Sequence, residues 1–237
     1  FRIQPRPKII AIAEMIKKDM VSFFRIPPEE IAVVYNGVDT KKYNPSSLKS
    51  VRGRLRNQWG VGDDDTVFLF VSYDLKKKGV EPLVEAAAML KKIGNGNFKI
   101  IIVGGQPYRS LEKRIKRLGL EETIIFTGRV KSIEAYYANS DVFVLPTYYD
   151  ACSLVVIEAM AGGLPAITTV YNGAGGIIRD GINGHIISHP PDAAELAKKM
   201  RLLLDKQERK KMSAAAAHAA AQYSAERNHG EIMKILD

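Results

Sequence analysis

The sequence predicts an α/β fold built on a doubly wound parallel sheet. Short runs rich in Val and Ile alternate with stretches whose apolar residues recur at helical spacing, and this order repeats along most of the chain. The apolar runs are continuous rather than alternating, which is typical of strands that helices cover on both faces. The 237 residues suffice for one large domain or two small ones with an ample core.

Each predicted strand is a short apolar run bounded by polar or turn-forming residues. TVFLFVS (66–72) shows this pattern clearly, because a run of aspartates precedes it. The run IAVVYNGVD (31–39) enters a turn at Asn36-Gly37, a strong turn dipeptide. The predicted strands are 8–13, 31–39, 66–72, 98–105, 123–128, 141–147, 164–170 and 184–189.

The predicted helices follow from apolar residues at helical spacing and from glycines at their ends. VEPLVEAAAMLKKIG (80–94) is amphipathic and stops at Gly94. The Ala-rich run 214–221 is interpreted as helix, because Ala has the highest helix propensity. The predicted helices are 14–25, a patch near 48–58, 80–94, 110–120, 132–140, 153–163 and most of the chain from Asp192 onward.

Composition excludes several classes of protein. Apolar residues make up 46% and charged residues 26%, which argues against disorder. A single Cys excludes an internal disulfide framework and a Cys-rich zinc site, and no apolar window approaches the roughly 18 residues that span a bilayer. The net charge of +9 favours anionic partners, although a basic soluble surface explains it equally well. The first residue is Phe rather than Met, and the opening lacks the order of a secretory signal, so we expect an engineered fragment or a piece of a longer protein.

Two common nucleotide-binding motifs are absent. The segment NGAGGII (172–178) contains Gly173-x-Gly175, but Ile178 breaks the G-x-G-x-x-G spacing. No GxxxxGK[ST] sequence occurs, so a P-loop is excluded. The acidic run 63–65 precedes a predicted strand and is interpreted as a solvated connection rather than a metal site.

The most informative segment is PTYYDACSLVVIEAMAGGLPAI (146–167), which links a predicted strand to a helix. Ligands of doubly wound sheets bind at the carboxyl ends of the strands, where this loop lies. The backbone N–H groups of Cys152, Ser153 and Leu154 are expected to be unpaired at the helix start and to form an anion site. Glu158 lies on an apolar helix and needs a partner. Paired hydroxyl groups, such as those of a ribose, would be suitable partners because they donate hydrogen bonds to a carboxylate.

These residues resemble a known family. The spacing Asp150-x7-Glu158, followed by AMAGGLPAI, is similar to the E-x7-E segment of retaining glycosyltransferases of family 4, which have the GT-B fold. The nearest group is the lipopolysaccharide core glucosyltransferase I group, which uses UDP-glucose. Further stretches agree in order along the chain: VYNGVD (34–39), KKKGVEPLVEAAAML (76–90), FKIIIVGG (98–105), IIFTGRV…YYANSDVFVLPT (124–147) and RDGINGHII (179–187).

The resemblance implies a domain organisation. GT-B enzymes have two Rossmann-like domains with the active site between them, and this chain resembles the C-terminal, donor-binding one. Residues 1–38 would then be the end of the N-terminal acceptor domain and the crossover. Residues 39–224 would form the nucleotide-sugar-binding domain. Residues 225–237 would form a helix that returns to the N-terminal domain, which is expected upstream of Phe1.

The resemblance also assigns roles to individual residues. Glu158 would bind the donor ribose, and Asp150 would lie near the donor sugar, although its side chain is one methylene shorter than the usual Glu. Lys78, with Lys77 as a substitute for the usual Arg, would contact the diphosphate, as would the backbone of Cys152, Ser153 and Leu154. Arg129 and Val130 would hold the base. Asp150 and Lys78 are the expected catalytic residues.

One departure from the family pattern concerns the usual GG-x-P-E segment. It reads NGAGGI (172–177) here, with Gly176 at the position of the acid. That change removes a polar contact near the donor and leaves the identity of the sugar open.

The expected activity is retaining transfer of a hexose from a UDP-sugar to a glycan or glycolipid acceptor, without a metal ion or other cofactor. The chain alone is expected to be inactive because the acceptor side is missing. The expected location is the cytoplasm, compatible with peripheral contact at the inner face of the membrane; no nucleic-acid partner is expected. Two alternatives stay open: a GT-B-like sugar-nucleotide epimerase or phosphorylase, and a non-catalytic binding module that uses the basic helix 112–119.

Overall fold

Residues 9–49, 51–94 and 97–236 are described by a computed structural model. All of its named strand pairs are parallel. Most strand residues of the main sheet are buried, as their continuous apolar runs predict. The strands are β1 (Ile9–Ala11), β2 (Ile31–Val33), β3 (Thr66–Ser72), β4 (Phe98–Gly104), β5 (Ile124–Gly128), β6 (Val142–Leu145), β7 (Ala166–Thr169) and β8 (Gly184–Ile187).

The order of the strands determines where a ligand can bind. Six strands form one sheet in the order β5-β4-β3-β6-β7-β8. The chain therefore moves outward in one direction from β3 and in the other from β6. Ligands of doubly wound sheets bind in a crevice at the carboxyl ends of the strands where the strand order reverses, which here is the boundary between β3 and β6. The predicted doubly wound α/β fold is confirmed.

The helices alternate with the strands of this sheet. Right-handed crossovers that run in opposite directions from the centre place the helices after β3 and after β6 on opposite faces. The helices are α1 (Glu14–Phe24), α2 (Pro45–Lys49), α3 (Arg54–Gln58), α4 (Val80–Ile93), α5 (Arg109–Arg117), α6 (Glu134–Asn139), α7 (Leu154–Ala161), α8 (Ala193–Leu202), α9 (Lys206–Ala220) and α10 (Ala225–Leu236). On the two faces, α4 contacts α8 and α7 contacts α9.

A second, two-stranded sheet pairs β1 with β2. The end of α9 and the start of α10 lie beside the chain that follows β2, because Val38 N–H donates to Tyr223 O at 2.9 Å. Asn228 Nδ2 of α10 donates to Tyr35 O at 2.8 Å. The predicted domain boundaries after residues 38 and 224 fall at this junction and stay predictions. Lys8 and Asp237, which the predicted elements include, lie outside the described residues.

The structure corrects several predicted element bounds. The run predicted as a strand over 31–39 is a strand only over Ile31–Val33, because the chain then turns at Asn36-Gly37. The helical patch predicted near 48–58 divides into α2 and α3. Two 3-10 helices were not predicted, Pro28–Glu30 and Gly173–Ile177. Within the described residues, none of the helices combines the length and the apolar character needed to cross a bilayer.

Candidate functional site

The loop between β3 and α4 places Lys78 at the crevice expected at the carboxyl ends of β3 and β6. Gly79 has φ +81°, and a Cβ there would lie 1.9 Å from the carbonyl oxygen of Pro146. Only glycine therefore lets this loop lie against the end of β6. Lys78 N–H donates to Asp74 O at 3.1 Å, and Lys77 N–H donates to Asp74 Oδ1 at 3.1 Å. The lysine before Gly79 is thus fixed by a tight turn.

Lys78 and Asp150 form an ion pair. The distance from Lys78 Nζ to Asp150 Oδ2 is 2.6 Å, and the two side chains are only 20% and 17% exposed. Lys78 Nζ also donates to Tyr149 O at 3.3 Å, and the Ser153 hydroxyl donates to Asp150 Oδ2. The structure therefore brings together Lys78, Asp150 and Ser153, which come from loops after β3 and β6.

The start of α7 differs from the sequence-based expectation of unpaired N–H groups. Cys152 N–H donates to Asp150 Oδ1 at 3.2 Å, and Ser153 N–H donates to Asn172 Oδ1 at 3.3 Å. The expectation was wrong for these two amides, because short polar side chains before and beside the helix accept from them. Leu154 N–H has no hydrogen-bond partner within the described part of the chain. The anion-binding capacity of this helix start is correspondingly reduced.

Asn172 holds the loop after β7 against the loop after β6. Its amide oxygen also accepts from Ala174 N–H at 3.1 Å, and its Nδ2 donates to Thr168 Oγ1 at 3.0 Å. The side chain is 1% exposed. A Cβ on Gly173 would lie 1.9 Å from Ala151 O, so the two loops are in backbone contact. Sequence reasoning missed Asn172, although an Asn shortly after a strand and directly before a Gly is a turn signal.

Among the residues described, Glu158 forms no hydrogen bond or ion pair with Lys78 or Asp150. Its Oε2 accepts a hydrogen bond of 2.8 Å from the Tyr137 hydroxyl. Tyr137 is fully buried and stacks edge-on against Tyr43, with 5.7 Å between ring centroids. The expectation that this carboxylate needs a partner is met inside the protein by a tyrosine that sequence reasoning did not identify.

The charge state of Glu158 reflects this setting. Burial raises the pKa of its carboxyl group, and the hydrogen bond from Tyr137 and the charge of Lys42 oppose that rise. Lys42 itself forms an ion pair with Glu134 at the start of α6. A half-buried carboxylate with one oxygen fixed by Tyr137 can accept further hydrogen bonds from a ligand.

The remaining predicted residues lie on the rim of the sheet. The Arg129 guanidinium stands over the Tyr73 ring at 5.1 Å, a cation–π contact that joins the loops after β5 and β3. Val130 is half-buried against the core. Lys77 and Leu154 are exposed. The carbonyl of Lys77 accepts from Tyr148 N–H at 3.0 Å, so its backbone rather than its side chain holds the loop.

Cys152 is not an activated nucleophile. Its side chain is 8% exposed, and burial raises the pKa of the thiol to about 11. A thiol becomes nucleophilic as the thiolate, which this environment disfavours. Its contribution to the site is confined to the backbone.

Gly176 lies against Tyr35. The family that the sequence resembles has an acidic residue at this position. A Cβ at Gly176 would meet the Tyr35 hydroxyl oxygen at 2.3 Å. That hydroxyl accepts from Glu14 N–H at 3.3 Å, at the start of α1. A tyrosine from the chain after β2 therefore occupies the space that a side chain at position 176 would take.

The family model described as Glycosyl transferases group 1 matches residues 51–219, which is more than half of the chain. The chain belongs to the group 1 glycosyl transferases. An uncharacterised glycosyltransferase of Methanocaldococcus jannaschii is 30% identical over 75% of this chain and 46% of its own length. The lipopolysaccharide glucosyltransferase WaaG of Escherichia coli is 24% identical over 83% of this chain and 53% of its own.

Solved structures agree with the fold. Anabaena HepE in complex with UDP-glucose is 25% identical and superposes with a TM-score of 0.81, over 96% of this chain and 62% of that protein. Group 1 glycosyl transferases are thus similar to the chain in sequence and structure, and the predicted family is confirmed. The chain spans about half the length of the curated relatives it matches.

Proposed function

We propose that this chain is the donor-binding part of a retaining hexosyltransferase that uses a UDP-hexose. The observation that carries the proposal is the Lys78–Asp150 pair at the carboxyl ends of β3 and β6. Its Nζ–Oδ2 distance is 2.6 Å, and it lies at the point where the strand order reverses. Ligands of doubly wound sheets bind at such a point. Family membership supports the reaction class.

In this proposal the diphosphate lies near Lys78. An ammonium is a compact point charge that suits phosphate oxygens. The N–H of Leu154 at the start of α7, which has no partner among the residues described, adds a donor at the positive end of the helix dipole. Lys77, exposed on the same loop, supplies a second ammonium. The Cys152 and Ser153 amides act by holding Asp150 and Asn172 in place.

The nucleoside would extend toward the β5 side of the rim. Glu158 Oε1 accepts from the ribose hydroxyls while Tyr137 holds Oε2. Arg129, whose guanidinium lies over the Tyr73 ring, stacks on the base together with Val130. Such planar contacts tolerate several bases, so UDP is proposed from the UDP-glucose complex of HepE.

The chemical step that we propose needs no metal ion. The bond between the anomeric carbon and the β-phosphate oxygen breaks, and Lys78 stabilises the charge that develops on the leaving diphosphate. The acceptor hydroxyl oxygen bonds to the same face of the anomeric carbon. Its proton passes to the departing phosphate oxygen, so the products are the glycoside and UDP with configuration retained. Asp150 fixes Lys78 and faces the sugar.

Titration calorimetry with UDP tests the donor site. Wild type is expected to bind, and Lys78→Ala and Glu158→Ala are each expected to bind about 10- to 100-fold more weakly, because each removes a hydrogen bond to a charged group. Lys113→Ala on the outer face of α5 is the matched control and should bind like wild type. Equal UDP affinity in all four proteins, or no binding by wild type, contradicts the proposal.

The acceptor is proposed to be a glycan or glycolipid that reaches the crevice with residues beyond this chain. WaaG, a lipopolysaccharide glucosyltransferase, supports this acceptor class and a place in lipopolysaccharide synthesis. The location that we propose is the cytoplasm, with peripheral contact at the membrane surface. This chain alone is expected not to transfer sugar. Release of free UDP coupled to glycoside formation by the 237 residues alone would contradict that expectation.

A further inference from the structure

A cavity of about 340 Å³ lies at the amino ends of β6 and β7, on the edge of the sheet opposite the donor crevice. Residues that precede these strands, Asp141 and Leu164, form part of its wall. Helix α9 closes one side, and α2 with Arg52 closes the other. The cavity contains neither Lys78 nor Asp150, although Tyr137, which donates to Glu158, forms part of its wall.

Positive charge dominates the lining. Five cationic side chains line the cavity against two aspartates. Asp141 is already neutralised, because its Oδ1 lies 3.1 Å from Arg52 Nη2 and its Oδ2 lies 2.9 Å from Arg56 Nη1. Asp63, the other aspartate, is exposed to solvent. The cationic side chains are Lys49, Arg52, Lys206, Arg209 and Lys210.

Several of these donors are available to a ligand. Lys49 and Lys210 have no hydrogen-bond or ion-pair partner among the residues described. Arg209 is 8% exposed, and its Nη1 is fixed by Thr66 Oγ1 at 2.9 Å and by the carbonyls of Leu203 and Leu204, each at 2.8 Å. Its Nε and Nη2 carry no partner within the described ranges. A guanidinium anchored at one nitrogen is preorganised to bind at the others.

We propose that this cavity binds a phosphate-bearing anion at the same time as the donor crevice is occupied. Two ammonium groups and a fixed guanidinium supply charge-assisted hydrogen bonds of the kind phosphate oxygens accept. The buried side chains of Leu48 and Leu164 form the apolar part of the cavity wall. A free phosphate compound and a phospholipid headgroup share this chemistry.

Titration with inorganic pyrophosphate in the presence of saturating UDP tests the site, because UDP blocks the donor crevice. Wild type is expected to bind pyrophosphate, and Lys49→Ala/Lys210→Ala is expected to bind about 10- to 100-fold more weakly. The matched control is Lys113→Ala/Lys116→Ala, which removes the same charge from the exposed face of α5. Unchanged pyrophosphate affinity in the Lys49/Lys210 variant, or equal losses in both variants, overturns the proposal.

Two further experiments distinguish binding at this cavity from binding at the donor site, and a free phosphate compound from a lipid headgroup. Lys78→Ala without UDP should keep the pyrophosphate binding that depends on Lys49 and Lys210, even if UDP does not bind the protein at all. Flotation with phosphatidylglycerol and phosphatidylcholine vesicles identifies the source of the phosphate. Binding to the anionic vesicles that the Lys49/Lys210 variant loses assigns a lipid headgroup. Pyrophosphate binding without vesicle binding assigns a free compound, and neither kind of binding overturns the proposal.

Discussion

Tyr137 donates a hydrogen bond to the carboxylate of Glu158, and in the proposed function this contact makes the tyrosine a positioning residue. Tyr137→Phe removes the 2.8 Å hydrogen bond and keeps the buried ring. UDP affinity is expected to fall about tenfold, since one hydrogen bond to a charged group is lost. Titration calorimetry at neutral pH measures this change. A Tyr136→Phe variant is the control for loss of a neighbouring hydroxyl, and equal affinity in both variants would refute the role.

The pH dependence of UDP binding gives a second test of Glu158. Burial raises the pKa of this carboxyl group and Tyr137 opposes the rise. Glu158 therefore takes up a proton at a higher pH than an ordinary Glu, and UDP affinity should begin to fall there as the solution is acidified. In Tyr137→Phe the fall should begin at a still higher pH. Superimposable pH profiles of the two proteins would contradict this coupling.

Protonation of Glu158 also affects stability. Because its pKa is raised in the folded state, ionisation costs stability as pH rises through that value, at ~1.4 kcal/mol per pKa unit of difference. Glu158→Gln, which stays neutral, should gain relative to wild type at about pH 8 and lose this advantage at about pH 4. Thermal unfolding midpoints at both pH values measure the difference. A constant difference would show that the carboxylate is not destabilised by burial.

Cys152 should react slowly with thiol reagents. Its pKa of about 11 and its burial leave little accessible thiolate near neutral pH. Alkylation by iodoacetamide should be more than about a hundredfold slower in the native protein than in the urea-unfolded chain. Mass spectrometry of timed aliquots measures the rate. Comparable rates in the two states would contradict the burial of this thiol.

The β3–α4 loop depends on glycine at position 79. Gly79→Ala combines a positive φ with a Cβ 1.9 Å from Pro146 O, and should destabilise the fold by about 3 kcal/mol or more. Gly94→Ala is the matched control, because Gly94 has φ +73° with no atom within 4 Å of the added Cβ. That variant should lose only ~1–2 kcal/mol. Urea unfolding measures both, and equal losses would contradict the close approach.

Most elements could be predicted from the sequence, because strands of a parallel sheet are continuous apolar runs and the helices between them are amphipathic. Lys78 and Asp150 were named as candidate site residues through the resemblance of their segments to the family, and the structure brings the two side chains together. Asn172 and Tyr137 could not be predicted, since their roles depend on which loops the strand order brings together. The pairing of the Cys152 and Ser153 amides likewise needed tertiary contacts, which local spacing does not report.

At the scale of the whole molecule, one apolar surface stands out. Phe23 and Phe24 at the end of α1 are 77% and 74% exposed. Exposed aromatic pairs favour association, so Phe23→Ser/Phe24→Ser should shift the protein toward monomer and leave UDP affinity unchanged. Size-exclusion chromatography with light scattering measures this over a concentration series. Leu202→Ser on α8 is the control, and a wild type that is monomeric throughout would contradict the prediction.

Two close backbone contacts hold the β6–α7 loop in place: Gly79 lies against Pro146, and Gly173 lies against Ala151. Neither contact leaves space for an additional residue, so insertions and deletions in this loop would separate Lys78 from Asp150. Exchanges of single exposed side chains in this loop, such as Tyr148 and Tyr149, therefore disturb the Lys78–Asp150 geometry less than a change of loop length does.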